Sequence, residues 1–100
     1  MAVTSKALAR TAAATSSTTL YTVPSATTTV ITNIAVANGA ATSGTFTILL
    51  DDVELHKDTA IAANATIYID LKQVLATTKT IKGLASATTI DFHISGVEIA

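Results

Sequence analysis

Five polar side chains crowd one stretch of the sequence: Asp51, Asp52, Glu54, His56 and Asp58. In an extended strand, where side chains alternate between faces, Asp52, Glu54, His56 and Asp58 would share one face. Carboxylates in such a row could ligate Ca²⁺ through oxygen, and an imidazole among them could take a transition metal. The plainer reading is an exposed hairpin kept soluble by its charges, so no metal site is assigned. His93, between Phe92 and Ile94, points away from an apolar face. It reads as a surface histidine, with a carboxylate or a symmetry-related copy of itself as its candidate partners.

Catalytic signatures are missing from the sequence. It has no Gly-x-Ser-x-Gly, no phosphate-cradling glycine loop and no His-Glu-x-x-His. Hydroxyls abound, yet a hydroxyl without a positioned base is a poor nucleophile. The expectation is a protein that is not an enzyme, with no catalytic residues and no cofactor.

The elements that hold these residues follow a two-residue rhythm. Val30, Thr32, Ile34 and Val36 alternate with Ile31, Asn33, Ala35 and Ala37, and Phe46-Ile48-Leu50, Ile67-Ile69-Leu71 and Ile90-Phe92-Ile94 keep the same period. That is the period of a pleated strand. Threonine fills 20 of 100 positions, and its branched Cβ suits strands better than helices. Turn signals cut the chain into strands at 18–23, 27–37, 45–50, 53–58, 66–71, 80–84 and 89–99. Pro24 stops the first of these, since it cannot donate to a ladder. Asn38-Gly39, a pair that readily takes positive φ, ends the second. Asp51-Asp52 sits where a two-residue hairpin loop would. Gly96 marks a change of phase in the last strand and predicts a bulge there. Seven short strands at even spacing fit a single all-β domain, a β-sandwich or jelly-roll-like barrel.

Residues 1–17 form an N-terminal arm ahead of this 18–100 domain. They are mostly Ala, Thr and Ser, and Ala7 to Ala14 has alanine's helix propensity but no apolar stripe. The arm is expected to add to a sheet, its own or a partner's.

Composition narrows the partners. The formal charge is -1, from six Lys and Arg against seven Asp and Glu. Six scattered cations argue against a phosphate-tracking surface, so nucleic acid is not an expected partner. The chain lacks cysteine, which excludes disulfides and thiolate metal sites. No apolar run approaches the roughly 20 residues of a spanning helix, and Lys6 and Arg10 precede no secretory h-region. The chain is expected to begin near Met1 and to have no membrane partner. Low charge and short side chains lower the desolvation and ordering costs of association, which suits a chain that lives inside an assembly.

The run Leu20-Tyr21-Thr22-Val23-Pro24, followed by Thr27-Thr28-Thr29-Val30-Ile31-Thr32-Asn33-Ile34, resembles small structural proteins of tailed bacteriophages. Leu50-Asp51-Asp52-Val53 is similar to a turn of that group, with Asp52 where Gly often stands. Phe92-His93-Ile94-Ser95-Gly96-Val97-Glu98 resembles its closing strand. The likeness covers residues 18–99. It implies a virion component with a β-sandwich fold, on the capsid surface, at the neck or in the tail. Capsid decoration (cement) proteins of this kind are often symmetric trimers bound to the major capsid protein of the assembled shell. A neck, tail or fibre adhesion module is the alternative. A glycan-binding fibre would need an aromatic platform, for which only Tyr21, Tyr68, Phe46 and Phe92 exist.

Overall fold

The computed structural model describes residues 2–100. Eight strands occupy them: β1 Val3–Ala12, β2 Thr18–Thr22, β3 Thr28–Asn38, β4 Gly44–Leu50, β5 Val53–Ile61, β6 Thr66–Leu75, β7 Thr80–Ala85 and β8 Ile90–Ile99. They form two antiparallel four-stranded sheets, in the orders β1-β8-β3-β6 and β2-β7-β4-β5. The first strand pairs with the eighth, the second with the seventh, the third with the sixth and the fourth with the fifth. A long hairpin rolled over onto itself gives this order, the jelly roll of two interlocked Greek keys. The sandwich is elongated along its strands, 45 × 21 × 18 Å.

Seven expected strands become eight because the segment expected to be an arm is itself an edge strand. β1 pairs with β8 from Val3↔Ile99 to Ala12↔Asp91, and Leu8 and Ala13 are buried in the core. Residues 3–12 thus add to the chain's own sheet, one of the two outcomes expected for the arm. The alanine run of β1 is strand and not helix because β8 offers it a ladder and the core offers Leu8 and Ala9 a place.

The core lies between the sheets. Ile34, Val36, Phe46, Ile48, Ile61, Ile81, Ile90, Phe92 and Ile94 fill it, with Phe46 and Phe92 edge to face at 6.4 Å between ring centroids. The period does not run unbroken through β3. Thr29 and Ile31 face inward, Thr32 is an extra residue opposite Gly96 and Ser95, and beyond it Ile34, Val36 and Asn38 face inward. One inserted residue moves the inward set from odd to even numbers, as the strand's period of two requires.

The bulge expected at Gly96 lies instead in the two strands that flank it. β1 inserts Leu8 and β3 inserts Thr32 against the uninterrupted β8. A Cβ on Gly96 would stand 2.4 Å from the Val30 carbonyl oxygen and 3.0 Å from Leu8 Cδ1. Glycine is there because two backbones close on it from either side.

The four edge strands β1, β6, β2 and β5 all carry a register shift. Bulged edges twist away from the flat geometry that a further strand would need. Sheet extension by a partner's strand is thereby disfavoured, and the strand that β1 joins belongs to its own chain.

Candidate functional site

The acidic hairpin does not converge on a cation. Asp51 and Asp52 both adopt left-handed backbone, φ 53° and 61°, which matches the twist of a two-residue hairpin turn. Asp51 Oδ1 lies 3.7 Å from Lys79 Nζ, Asp52 Oδ1 2.6 Å from Lys82 Nζ, and Glu54 Oε2 3.2 Å from Lys57 Nζ. Register shifts between Phe46 and Ile48 and between Ile48 and Leu49 leave extra residues on β5 and break the common face expected for Asp52, Glu54, His56 and Asp58. His56 turns inward, its ring 5.8 Å from Phe46 and its Nδ1 3.3 Å from Thr59 Oγ1. Asp58, at φ 45°, donates its backbone N–H to Thr47 Oγ1. Among the described residues no three His, Cys, Asp or Glu side chains are grouped to hold a metal.

A polar cluster that the sequence did not announce ties both sheets together. Tyr21 Oη donates to Glu98 Oε2 at 2.5 Å and lies 2.8 Å from the buried Thr29 Oγ1. Lys6 Nζ pairs with Glu98 Oε1 at 3.3 Å. β1, β2, β3 and β8 thus meet through four side chains. Burial first, then the Glu98 carboxylate, raises the Tyr21 phenol above its ordinary pKa, while Thr29 works the other way. The Tyr21 hydrogen bond chiefly holds Glu98 below the usual carboxylate range, desolvation opposes it, and Lys6 adds to the lowering. The carboxylate already has two partners, so the cluster acts as a clasp.

The two ends of the sandwich differ in chemistry. One carries Ala2, Ala100, Pro24, Asp51, Asp52 and Lys79. The other carries loops 13–17, 39–43, 62–65 and 86–89, built only from Ala, Ser, Thr, Gly and Asn. No charged or aromatic residue occurs in those loops.

Backbone bonds lash this uncharged end into one surface: Ala13 N–H to Ile90 O, Ala85 N–H to Ala14 O, Gly39 N–H to Thr89 O and Asn64 N–H to Ala40 O. The pair Asn38-Gly39 has no positive φ. Asn38 ends β3 buried, and its side-chain amide donates to Thr42 O at 2.9 Å and Ala62 O at 3.2 Å while its Oδ1 accepts from Ala40 N–H at 3.0 Å. Its role is to fasten two loops. A shallow depression of about 720 Å³ opens here, lined by Ser43, Gly44, Thr45, Ala60, Ile61, Ala62 and Ser86.

The outer face of the β1-β8-β3-β6 sheet is laid out in rows. Arg10, His93, Ala35 and Tyr68 stand abreast. So do Ala7, Ser95, Asn33 and Asp70, and next Ser5, Val97, Val30 and Val74. Tyr68 is 74% exposed, and Val3 and Val74 are each 66% exposed. His93 is exposed here as expected. Of the four aromatics considered for glycan stacking, Phe46 and Phe92 are core, Tyr21 belongs to the clasp, and Tyr68 stands alone.

No family model matches the chain, and no curated protein matches it.

Proposed function

We propose that this chain is a non-enzymatic structural protein of a tailed-phage virion, a capsid decoration protein that binds the assembled shell. The observation that carries the reading is the uncharged end: four cross-tied loops of short side chains, set opposite an end that bears the hairpin charges. Docking such a surface desolvates no charge and freezes few rotamers, so the cost of association is small. The resemblance over residues 18–99 supports the virion setting.

The action would be mechanical. A ligand that binds the assembled shell and not its separate subunits stabilises the shell by mass action. Bulged edges keep many copies at high local concentration from polymerising through their sheets.

Pelleting the purified chain with intact capsids, and separately with free capsid subunits, tests this. The chain saturates capsids and ignores subunits. Ala63→Asp combined with Thr88→Asp abolishes binding, while Asp52→Asn at the other end leaves it intact. Equal binding by the loop variant, or none by the wild type, rejects the reading. A neck or tail position is the alternative, separated by a copy number of about six or twelve instead of hundreds.

A further inference from the structure

We propose that the outer face of the β1-β8-β3-β6 sheet pairs with the same face of a second copy of this chain, about a two-fold axis that runs along the strands between β8 and β3.

The charges point there first. Lys6, Lys57, Lys79 and Lys82 each have a carboxylate partner within the chain, on Glu98, Glu54, Asp51 and Asp52. Arg10 and Lys72 have none among the described residues, nor do Asp58, Asp70 and Asp91; all of these but Asp58, on β5, lie on this one face. Arg10 and Asp70, left single on the two edge strands of one surface, match a partner that carries the same pair.

The rows then fix the axis. A two-fold along the strands exchanges β1 with β6 and β8 with β3 while keeping each row level. Arg10 is thereby set over the Tyr68 ring of the second copy, beside its Asp70, a cation over an aromatic face with a carboxylate in reach. His93 meets the small Ala35, Asp70 meets Ala7, and Val74 meets Ser5 and the neighbouring Val3. Val97 meets Val30. Bulky groups fall on small ones and valines on valines in each case. A two-fold across the strands would instead keep each strand over itself and hold Arg10 on β1 a sheet's width from the Tyr68 and Asp70 of the second copy on β6.

The face spans four strands about 4.8 Å apart and roughly ten residues at 3.3 Å each, so about 600 Å² per copy. That is the low end for a specific contact, and a pair of this size dissociates on dilution. The pairing is isologous, which a cyclic trimer cannot use, so it departs from the three-fold arrangement the resemblance implies.

An axis along the strands also points both uncharged ends the same way. On the reading proposed above, the pair would present a double-width charge-free base to the shell. The pairing itself is measured without a shell, so its failure and the failure of the virion reading are separate results.

Sedimentation equilibrium of the full chain at tens of micromolar is expected to give twice 10.2 kDa, falling toward one chain on dilution. Arg10→Glu alone and Asp70→Arg alone shift the pair to monomer by tenfold or more in dissociation constant, with unchanged circular dichroism. The double variant Arg10→Glu/Asp70→Arg restores pairing, because opposite charges face each other again. A wild-type monomer or trimer over this range, single variants that still pair, or a folded double variant that stays monomeric each overturns the proposal.

Discussion

Tyr21 Oη on β2 and Glu98 Oε2 on β8 meet at 2.5 Å across the gap between the two sheets. Both main ladders run within their sheets, so this bond and the Tyr21–Thr29 contact are polar links between the layers, while Lys6 braces Glu98 from the neighbouring strand of its own sheet. Tyr21→Phe removes the donor while keeping the ring. The expected result is a melting temperature lower by roughly 5 °C, the size of one lost hydrogen bond in a domain of this length. A melting temperature unchanged within error would show that the clasp contributes nothing.

The same clasp gives stability a pH dependence at both extremes. Glu98 has a folded pKa below its unfolded value, so its contribution is present above the ordinary carboxylate pKa near 4.3 and is lost as pH falls through the folded value. Tyr21 has a folded pKa above its unfolded value, so its contribution is complete below about pH 10 and fades as pH rises past it. Melting curves from pH 6 down to 3 should show a steeper loss for the wild type than for Glu98→Gln. Parallel acid limbs would assign the acid sensitivity to other carboxylates.

Gly96 and Gly39 make a matched pair of tests for the bulges. A methyl on Gly96 would run into the Val30 carbonyl, whereas one on Gly39 would meet only Thr89 O at 3.6 Å. Gly96→Ala should destabilise by at least about 2 kcal/mol through forced backbone movement. Gly39→Ala should stay within about 0.5 kcal/mol of the wild type. Urea midpoints measured side by side decide it, and equal effects would mean that β1 and β3 do not close on β8 as described.

β1 belongs to the folding unit. Leu8→Ala opens a cavity at the first sheet's edge and should cost about 2–3 kcal/mol. Removing residues 2–12 strips β8 of its ladder partner and uncovers Leu8's neighbours in the core, so the truncated chain should lose its cooperative thermal transition. A truncated chain that melts cooperatively near the wild-type temperature would return β1 to the role of a free arm.

The strand pattern was legible because each face of a sandwich imposes alternation. Ile90, Phe92 and Ile94 could be assigned inward from their spacing alone, and the seven central strands lie close to the boundaries their turn residues mark. β1 was harder, since Ala and Thr at its positions carry little contrast and its identity depends on the distant β8. The phase change at Thr32 was hidden for the same reason: a bulge is visible only once the opposing strand is known. The acidic hairpin misled because the ideal period was extended through Asp58, where β5 in fact bulges. The clasp joins residues 77 positions apart, a separation that local spacing does not encode. Asn38 shows the converse, a familiar turn residue whose side chain fastens neighbouring loops instead of bending its own backbone.

The proposed virion role is tested most directly by quantitative mass spectrometry of purified tailed-phage particles from the source that encodes this chain. A decoration protein docked through its uncharged end is present at hundreds of copies per particle and is shed intact when the shell is dissociated. Absence of the chain from purified particles would contradict the account.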